Sequence, residues 1–321
     1  MSFEEALKVL ADGEEKSLQE LGLEGAELDE FTSWLNSLDL TFERDDDVVS
    51  IPGGIDLLDG QTIQGLMSPE TSSRLNGIEV FLEIDSTNSY LFGKSLKSDR
   101  ATICFAERQA AGRGRRGRKW VSPFGTNLYM SILWRMPLNR APIDGLSLAV
   151  GVAVVRALTG EGFSGIKMKW PNDLLLNGGK IGGILIEMKP PTADFVELVI
   201  GVGINLNMPA SSAKLIDQPW QDLSNGMESK SRNEIAASVV TSILDVLTEF
   251  PELGFVGFAD EWHALDAYYD RLVELHLGQK TVKGYAQGVN REGAINISVD
   301  GELHCFHGGE ISLRLADDSR S

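Results

Sequence analysis

The densest run of chemically capable side chains is AAGRGRRGRKW, Ala110 to Trp120, with four arginines and a lysine among three glycines. Guanidinium groups present planar donor forks matched to phosphate and carboxylate oxygens. Glycines at positions 112, 114 and 117 let the backbone turn sharply and approach a ligand closely. A loop of repelling charges cannot pack on itself, so it is expected to be mobile when empty and ordered by a small polyanion. Two plainer readings compete, an Arg-Gly nucleic-acid segment and a solvated loop. One short basic island between two apolar strand-like segments is no tract for following a long phosphate backbone, which favours the clamp. Trp120 offers a flat face for a ring, or a core side chain.

A second group is Lys169-Trp170-Pro171-Asn172-Asp173 with Lys180 beyond a tight Asn-Gly turn. Proline cannot continue the ladder of a central strand, so Asn172 and Asp173 are expected in an irregular segment at a strand end, where α/β sites lie. Lys180, on the following hairpin, can point to the same place. An isolated lysine near a carboxylate is ordinarily a surface ion pair; the combination is what points to chemistry here. Ser86-Thr87-Asn88 reads as a helix N-cap whose hydroxyls and amide can also serve a polar head group, and Gln109 can do likewise. His304, Cys305 and His307 alternate across a strand, so no metal site is read there. Cys104 and Cys305 lie far apart and indicate neither a disulfide framework nor a cysteine zinc site.

The elements that must position these residues follow from periodicity and turn chemistry. Phe3 to Ala11 and Ala26 to Leu38 have helical spacing, and Leu40 to Ile51 reads as a hairpin with Asp45, Asp46 and Asp47 at its tip, together a winged-helix shape. Pro52 to Asn76 is turn-rich and reads as a linker ending in a short helix. Strands are expected at Ile78 to Ile84, Ala101 to Ala106, Leu128 to Trp134, Lys167 to Trp170, Leu174 to Leu176, Ile181 to Met188 and Val196 to Leu206, with a helix start at Asp85 to Thr87. Helices are expected at Ile143 to Leu158, Glu234 to Phe250 and Phe255 to Tyr269. From Arg271 the text turns to short strands, Val273 to Leu277, Thr281 to Val289, Ala294 to Val299, Leu303 to Phe306 and Ile311 to Leu315, which suggests a small C-terminal barrel. The fold class is α+β, in units spanning 1–60, 61–270 and 271–321.

Composition bounds the rest. The 321 residues, 42% hydrophobic and 24% charged, suffice for two or three compact units. No run approaches the ~18 apolar residues of a membrane span, and the acidic N-terminus lacks the form of a secretion signal, so a cytoplasmic protein without membrane association is expected. The net charge is −18, and residues 1–76 hold eighteen carboxylates against four basic residues, about −14 of it. Such a surface repels phosphates, which argues against nucleic acid as a general partner.

The segments GRGRRGRKW, KWPND, GGKIGGILIEM, DSTN and HGGEISLR stand in the order and approximate spacing of the biotin protein ligases, and the chain closely resembles the bacterial type that is also the biotin operon repressor. The resemblance runs from about Ile78 to Leu315. It implies a ligase-type central unit with an SH3-like C-terminal barrel. It also implies a reaction in which biotin and MgATP give biotinyl-5′-adenylate, whose acyl group passes to a lysine of the biotin carboxyl carrier protein of acetyl-CoA carboxylase. The implied cofactors are ATP, biotin as substrate and Mg2+, with no protein metal site, and the implied assembly is a homodimer. By the same resemblance, Ser86, Thr87, Asn88, Gln109, Gly112, Arg113, Gly114, Arg115, Lys180, Gly183 and Ile184, with Gly182 at the edge, hold biotin. Arg116, Arg118, Trp120, Lys169, Asn172 and Asn205 hold the nucleotide, and Lys180, Asp173 and Arg115 carry the chemistry. A biotin-responsive repressor is the alternative, and a lipoyl or octanoyl transferase of the same fold a third reading. The expected recognition helix carries Glu27, Asp29 and Glu30 with no lysine or arginine, so operator binding is not expected.

Overall fold

The structure, a computed structural model of the chain, describes residues 1–25, 27–138, 143–227, 230–278, 280–308 and 311–316. It opens with α1 (Phe3–Leu10), β1 (Lys16–Ser17), α2 (Glu27–Ser37) and a hairpin of β2 (Glu43–Asp45) and β3 (Val48–Ser50). Ser2 and Glu5 close a capping box on α1. β1 joins the hairpin on the free side of β3, making a three-stranded sheet. Leu7, Leu10, Leu28, Phe31 and Leu35, at three- and four-residue steps along the two helices, meet Val49 and Ile51 in a small core. The stretch read as a linker is more structured than expected. It holds α3 (Gly60–Leu66) and α4 (Pro69–Ser73), capped by Asp59 and Ser68, and too short to display a full apolar period.

The central unit continues through β4 (Leu75–Ile84), α5 (Thr87–Phe92), β5 (Ala101–Gln109), β6 (Leu128–Pro137), α6 (Leu146–Gly160), β7 (Ile166–Lys169), β8 (Asp173–Leu176), β9 (Gly179–Met188), β10 (Phe195–Ile204), a short α7 (Ala210–Ala213), α8 (Arg232–Leu253) and α9 (Ala259–Leu265). Seven strands form one sheet in the order β4-β5-β6-β10-β9-β8-β7. Only β4 and β5 run parallel; the other neighbours are antiparallel. Asn177 and Gly178, at φ +50° and +81°, turn β8 back into β9, as the Asn-Gly dipeptide predicts. Several boundaries differ from the sequence expectation, two of them at positions that matter for the site. α9 stops at Leu265 because Asp266 adopts extended backbone, so Tyr268 and Tyr269 lie outside it. Asp173 is the first residue of β8 rather than part of an irregular segment; only Trp170, Pro171 and Asn172 are irregular.

Strand alternation sorts the sheet's two faces. Along β10, Leu198, Ile200, Val202 and Ile204 enter the core with α6 and α8, while Val199 packs with Leu91 of α5 on the opposite face. Gly201 and Gly203 share the parity of Val199, which leaves a strip of bare backbone on the α5 face.

The C-terminal unit is a five-stranded antiparallel sheet, β11 (Leu272–Leu277), β12 (Lys280–Val289), β13 (Ile295–Val299), β14 (Glu302–Phe306) and β15 (Ile311–Leu315), in the order β14-β13-β12-β11-β15. Val273, Leu275, Ile297 and Leu313 belong to the same continuous core as α6 and α8. Trp170 Nε1 donates to Gly293 O at 2.9 Å, tying this sheet to the end of β7. Gly309 and Glu310 of the HGGEISLR segment lie outside the described residues, as does Ala26 at the start of the expected second helix.

One buried ion pair holds several of these parts together. Glu107 of β5 is fully buried; it accepts from Leu58 N at 2.5 Å and pairs with Arg232 Nη1 of α8 at 2.8 Å. Arg232 also donates to Asp56 O and Asn127 O, each at 2.7 Å. The pair therefore joins the segment leaving the N-terminal unit, β5, the residue that precedes β6, and α8. Arg232→Ala leaves a buried carboxylate without its counter-ion, which costs roughly 3–5 kcal/mol. Urea unfolding should show that loss; a change below about 1 kcal/mol would mean the pair is not the tie described.

Candidate active site

The arginine loop leaves β5 after Gln109 and returns toward β6. Contrary to the expectation that repelling charges keep the loop from packing on itself, its backbone does close. Gly114 N donates to Arg118 O at 2.7 Å and Trp120 N to Gly112 O at 2.8 Å, with the turn at Arg115–Gly117. Arg116 and Gly117 take φ of +60° and +69° to make that turn, the second at no steric cost because it is glycine. The guanidinium groups relieve their repulsion by diverging. Arg113 Nη2 reaches Ser89 Oγ at 2.9 Å, and Arg115 Nη1 reaches Asn172 Oδ1 at 3.1 Å. Burial pulls the Arg115 guanidinium below its ordinary range, an effect the Asp173 carboxylate opposes. Gly112 is needed for a close approach: a Cβ there would stand 2.9 Å from both Ser122 Oγ and Trp120 O.

Beneath the loop lies a buried polar cluster. Ser86 caps α5, accepting from Ser89 N, and so turns Thr87 and Asn88 into the sheet. Thr87 N donates to Gln109 Oε1 at 3.0 Å. Ser131 Oγ of β6 lies 2.7 Å from Thr87 Oγ1 and 2.6 Å from Asn88 Oδ1. Gln109 Nε2 reaches Ser122 Oγ at 3.4 Å. The bare strip of β10 makes this possible: a Cβ on Gly201 would stand 2.2 Å from Asn88 Oδ1, and one on Gly203 would stand 2.7 Å from the Trp120 indole.

Next along the same face is a charged cluster. Lys180 Nζ lies 2.6 Å from Asp173 Oδ1 and Lys169 Nζ lies 3.4 Å from Asp173 Oδ2. The turn between β8 and β9 brings Lys180 back onto Asp173. Burial alone would raise the Asp173 carboxyl, but the charges of Lys180 and Lys169 outweigh it and hold the group below its ordinary value. Burial, abetted by nearby Lys180, lowers the Lys169 ammonium, which Asp173 opposes. Asn172 Nδ2 donates to Ile184 O at 2.6 Å, and Ile184 N to Asn172 O at 3.0 Å, which fixes the turn before β8. Lys180 Nζ also sits 5.4 Å from the Trp120 ring centroid, and a Cβ on Gly183 would be 3.3 Å from that ammonium. Trp120, Lys180 and Asn205 line a cleft closed by Leu215, Ile216 and Trp220. The 215–220 segment is laced on by Lys180 N to Pro219 O and Gln221 N to Lys180 O, each 3.0 Å. Asn205 Nδ2 donates to Gln221 O at 3.1 Å. A larger groove, about 530 Å³, runs between α6 and α8 but holds none of these residues, so volume alone does not mark the site.

A donor-rich flap, a buried polar cluster and a lysine pair around one carboxylate thus share one face of the sheet. Residues 80–205 match the Biotin/lipoate A/B protein ligase family. The chain is 38% identical over 274 residues to the "Bifunctional ligase/repressor BirA" of Escherichia coli (strain K12), covering 84% of this chain and 85% of that protein. It is 36% identical over 318 residues to the protein of the same name from Salmonella typhimurium, covering 97% of each. The chain belongs to the biotin protein ligase family. A solved structure with this fold, described as biotin protein ligase from Aquifex aeolicus in complex with biotin and ATP, superimposes with a TM-score of 0.63 at 28% identity, over 74% of this chain and 99% of that one.

Of the residues singled out in the sequence, the ligase fold brings Thr87, Asn88, Gln109, Gly112, Arg113, Arg115, Trp120, Asn172, Asp173, Lys180 and Gly183 into one contiguous surface. Lys169 and Asn205 bound it. Arg116 and Arg118 lie at the tip of the flap, where their backbones close the turn. Reading the sequence missed Ser131, Glu187, Gly201, Gly203 and Trp220. Two glycines alternating inside a β-branched strand, VIGVGI, were the available signal, since glycine there marks close approach. Asp173→Asn removes the negative charge facing Lys169, so the Lys169 pKa should fall further below the ordinary lysine range. A 13C NMR titration of the Lys169 ε-carbon checks this, and an unmoved midpoint would remove Asp173 as its counter-ion.

Proposed function

We propose that this chain carries out both halves of biotin attachment, forming biotinyl-5′-adenylate from biotin and ATP and passing biotin to a lysine of a biotin carboxyl carrier protein. The observation that carries the reading is the convergence of Arg113, Arg115, Lys169 and Lys180 beside the Ser86–Asn88 cluster. In the first step the biotin carboxylate oxygen bonds to the α-phosphorus as its bond to the β-phosphate oxygen breaks and pyrophosphate leaves. Two anions must meet, so cations that neutralise both lower the barrier. Lys180 bridges the biotin carboxylate and the α-phosphate, and Arg113 and Arg115 close over them. Ser86, Thr87, Asn88 and Gln109 hold the ureido ring, with Gly112, Gly114, Gly183 and Ile184 along the biotin chain. Trp120, Asn172, Asn205, Arg116 and Arg118 surround the nucleotide. Among the described residues no group of three His, Cys, Asp or Glu side chains is placed to hold a metal. Mg2+ entering with ATP would supply charge neutralisation on the phosphates beside Arg113, Arg115 and Lys180.

In the second step the carrier lysine, ordinarily near pKa ~10.4, must be deprotonated before it attacks the acyl carbon and AMP leaves. Both Asp173 oxygens are occupied by Lys180 and Lys169, and the group is held ionised, which suits it to orienting the amine more than to taking its proton. The flap shelters the mixed anhydride from water until the amine arrives.

The N-terminal unit fits a winged helix whose DNA surface has been lost, and the C-terminal sheet fits a small SH3-like barrel. α2 places Glu27, Asp29 and Glu30 in its first turn, and Arg44 of the hairpin is paired with Asp29 at 2.6 Å. A surface of this sign repels operator phosphates, which disfavours the repressor reading. Exposed Phe92, Leu138 and Met188, at one end of the sheet, support a homodimer. No helix among the described residues is long and apolar enough to cross a membrane, and the reading places the enzyme in the cytoplasm.

ATP–pyrophosphate exchange should require biotin and ignore lipoate; no exchange with biotin would overturn the assignment. Lys180→Ala should slow adenylate formation by roughly 10²–10³-fold, the scale for losing one preorganised stabiliser of developing charge. Arg115→Ala should instead speed release of the formed adenylate, read by single-turnover trapping. An electrophoretic shift at low salt should show no tight, sequence-specific operator complex.

A further inference from the structure

Glu187 takes no part in the reaction as described, yet its carboxylate touches two residues of the head-group site. It stands on β9 opposite Val199, with its side chain 27% exposed. Oε2 accepts from Asn88 Nδ2 at 2.8 Å, and the two oxygens lie 3.4 and 3.5 Å from Arg113 Nη2. The shape of an asparagine amide does not settle which end is oxygen; its partners do. A carboxylate can only accept, so the Asn88 nitrogen must face Glu187, and it faces Leu185 O at 3.3 Å as well. The Asn88 oxygen is thereby turned to Ser131.

Ser131 has one hydroxyl proton and two oxygen neighbours, Asn88 Oδ1 at 2.6 Å and Thr87 Oγ1 at 2.7 Å. Asn88 Oδ1 has no proton to give, so the Ser131 proton goes there. Two oxygens 2.7 Å apart also need a proton between them, and only Thr87 can supply it. The longer Thr87 Oγ1 to Gln109 Oε1 contact, 3.2 Å, can do without one because Gln109 Oε1 already accepts from Thr87 N. The hydrogen bonds therefore run one way, from Thr87 to Ser131 to Asn88 to Glu187, and Thr87 is left with lone pairs alone to offer a ligand.

We propose that Glu187 is a specificity-determining residue that sets this direction and makes the head-group site an acceptor of N–H. Resting on the ligase reading above, this names the feature selected: a ring bearing N–H donors, as a cyclic urea does. A ring of the same shape with oxygen at that position, a cyclic carbamate, sets acceptor against acceptor. So placed, it leaves buried polar groups unpaired, the arrangement that gives the strongest discrimination.

The test is ATP–pyrophosphate exchange by the full chain with biotin and with its two cyclic-carbamate analogues, each replacing one ureido N–H by oxygen. The wild type should prefer biotin over at least one analogue by about 10²-fold or more in kcat/KM. In Glu187→Gln the new amide can donate, so only the longer contact to Leu185 O still holds the Asn88 nitrogen outward, and Asn88 can turn over and the chain reverse. That preference should then fall at least about tenfold, chiefly through the KM for biotin, with the KM for ATP changed less than about twofold. Glu187→Asp keeps an obligate acceptor and should restore the preference, while Ser131→Ala cuts the relay and should lower it with Glu187 intact. An unchanged preference in Glu187→Gln or in Ser131→Ala, or equal losses for biotin and the analogues, would overturn the proposal. Absence of exchange with biotin in the wild type would overturn the ligase reading instead.

Discussion

The central sheet must face two incompatible environments, a helical layer that excludes water and a site for charged and polar ligands, and strand alternation is what keeps them apart. In β10 the even-numbered residues from Leu198 to Ile204 are apolar and buried with α6 and α8, while the odd positions pass from Val199 to two glycines. The glycines do more than vacate space. Asn88 and Trp120 rest where their side chains would be, so the polar head-group cluster and the indole are seated on bare backbone. A one-residue slip of this strand would bury the glycines and put Ile200 and Val202 under the flap, which couples correct pairing of the core directly to the existence of the site.

Electrostatics add a second constraint. In a chain of net charge −18 the arginine loop and the two lysines at Asp173 form a dense cluster of cations, and an empty site full of like charges would be costly to fold around. Each inward-facing cation has a local partner for that reason. Lys180 and Lys169 share Asp173, Arg113 leans on Glu187, and Arg115 meets the Asn172 amide oxygen. Anionic ligands then enter a site whose cations are already spaced and oriented, so little reorganisation remains to be done.

Much of this arrangement is legible in the sequence because it depends on local signals. The glycine-spaced arginines announce a ligand loop, and Asn177-Gly178 dictates a two-residue turn that folds Lys180 onto Asp173. The N-cap at Ser86 aims Thr87 and Asn88. What could not be read depends on neighbours brought from afar. Ser131 is one serine in an apolar strand, and Glu187 looks like a solvated acid near a strand end, until pairing of β5, β6, β10 and β9 places both around Asn88. Glu107 looks like a surface residue too; it is buried only because Arg232, on a distant helix, supplies its counter-charge. Of the two short helices between Pro52 and Asn76 only the last was anticipated; α3 escaped notice because two turns show no apolar period.

The acidic N-terminal unit raises the question of why a ligase would carry a module that repels phosphates. Its packing supplies a physical answer. Arg108, one residue before Gln109, donates to Ser37 O at 2.5 Å, and Phe124, four residues after Trp120, is buried within the N-terminal unit's own core. Asp39 accepts from Ser211 Oγ at 3.1 Å, near the start of the segment that closes the cleft beside Trp120 and Lys180. The unit thus grips the strand entering the flap and the segment leaving it, and removing it would strip the cover from Phe124 and Leu82. Its charge does not undo this service. Fields from exposed carboxylates are screened within about 10 Å at ordinary ionic strength, whereas the site's cations act on bound ligand at contact distance. The apolar seam through which this unit braces the flap therefore holds it in place whatever the sign of its surface charge.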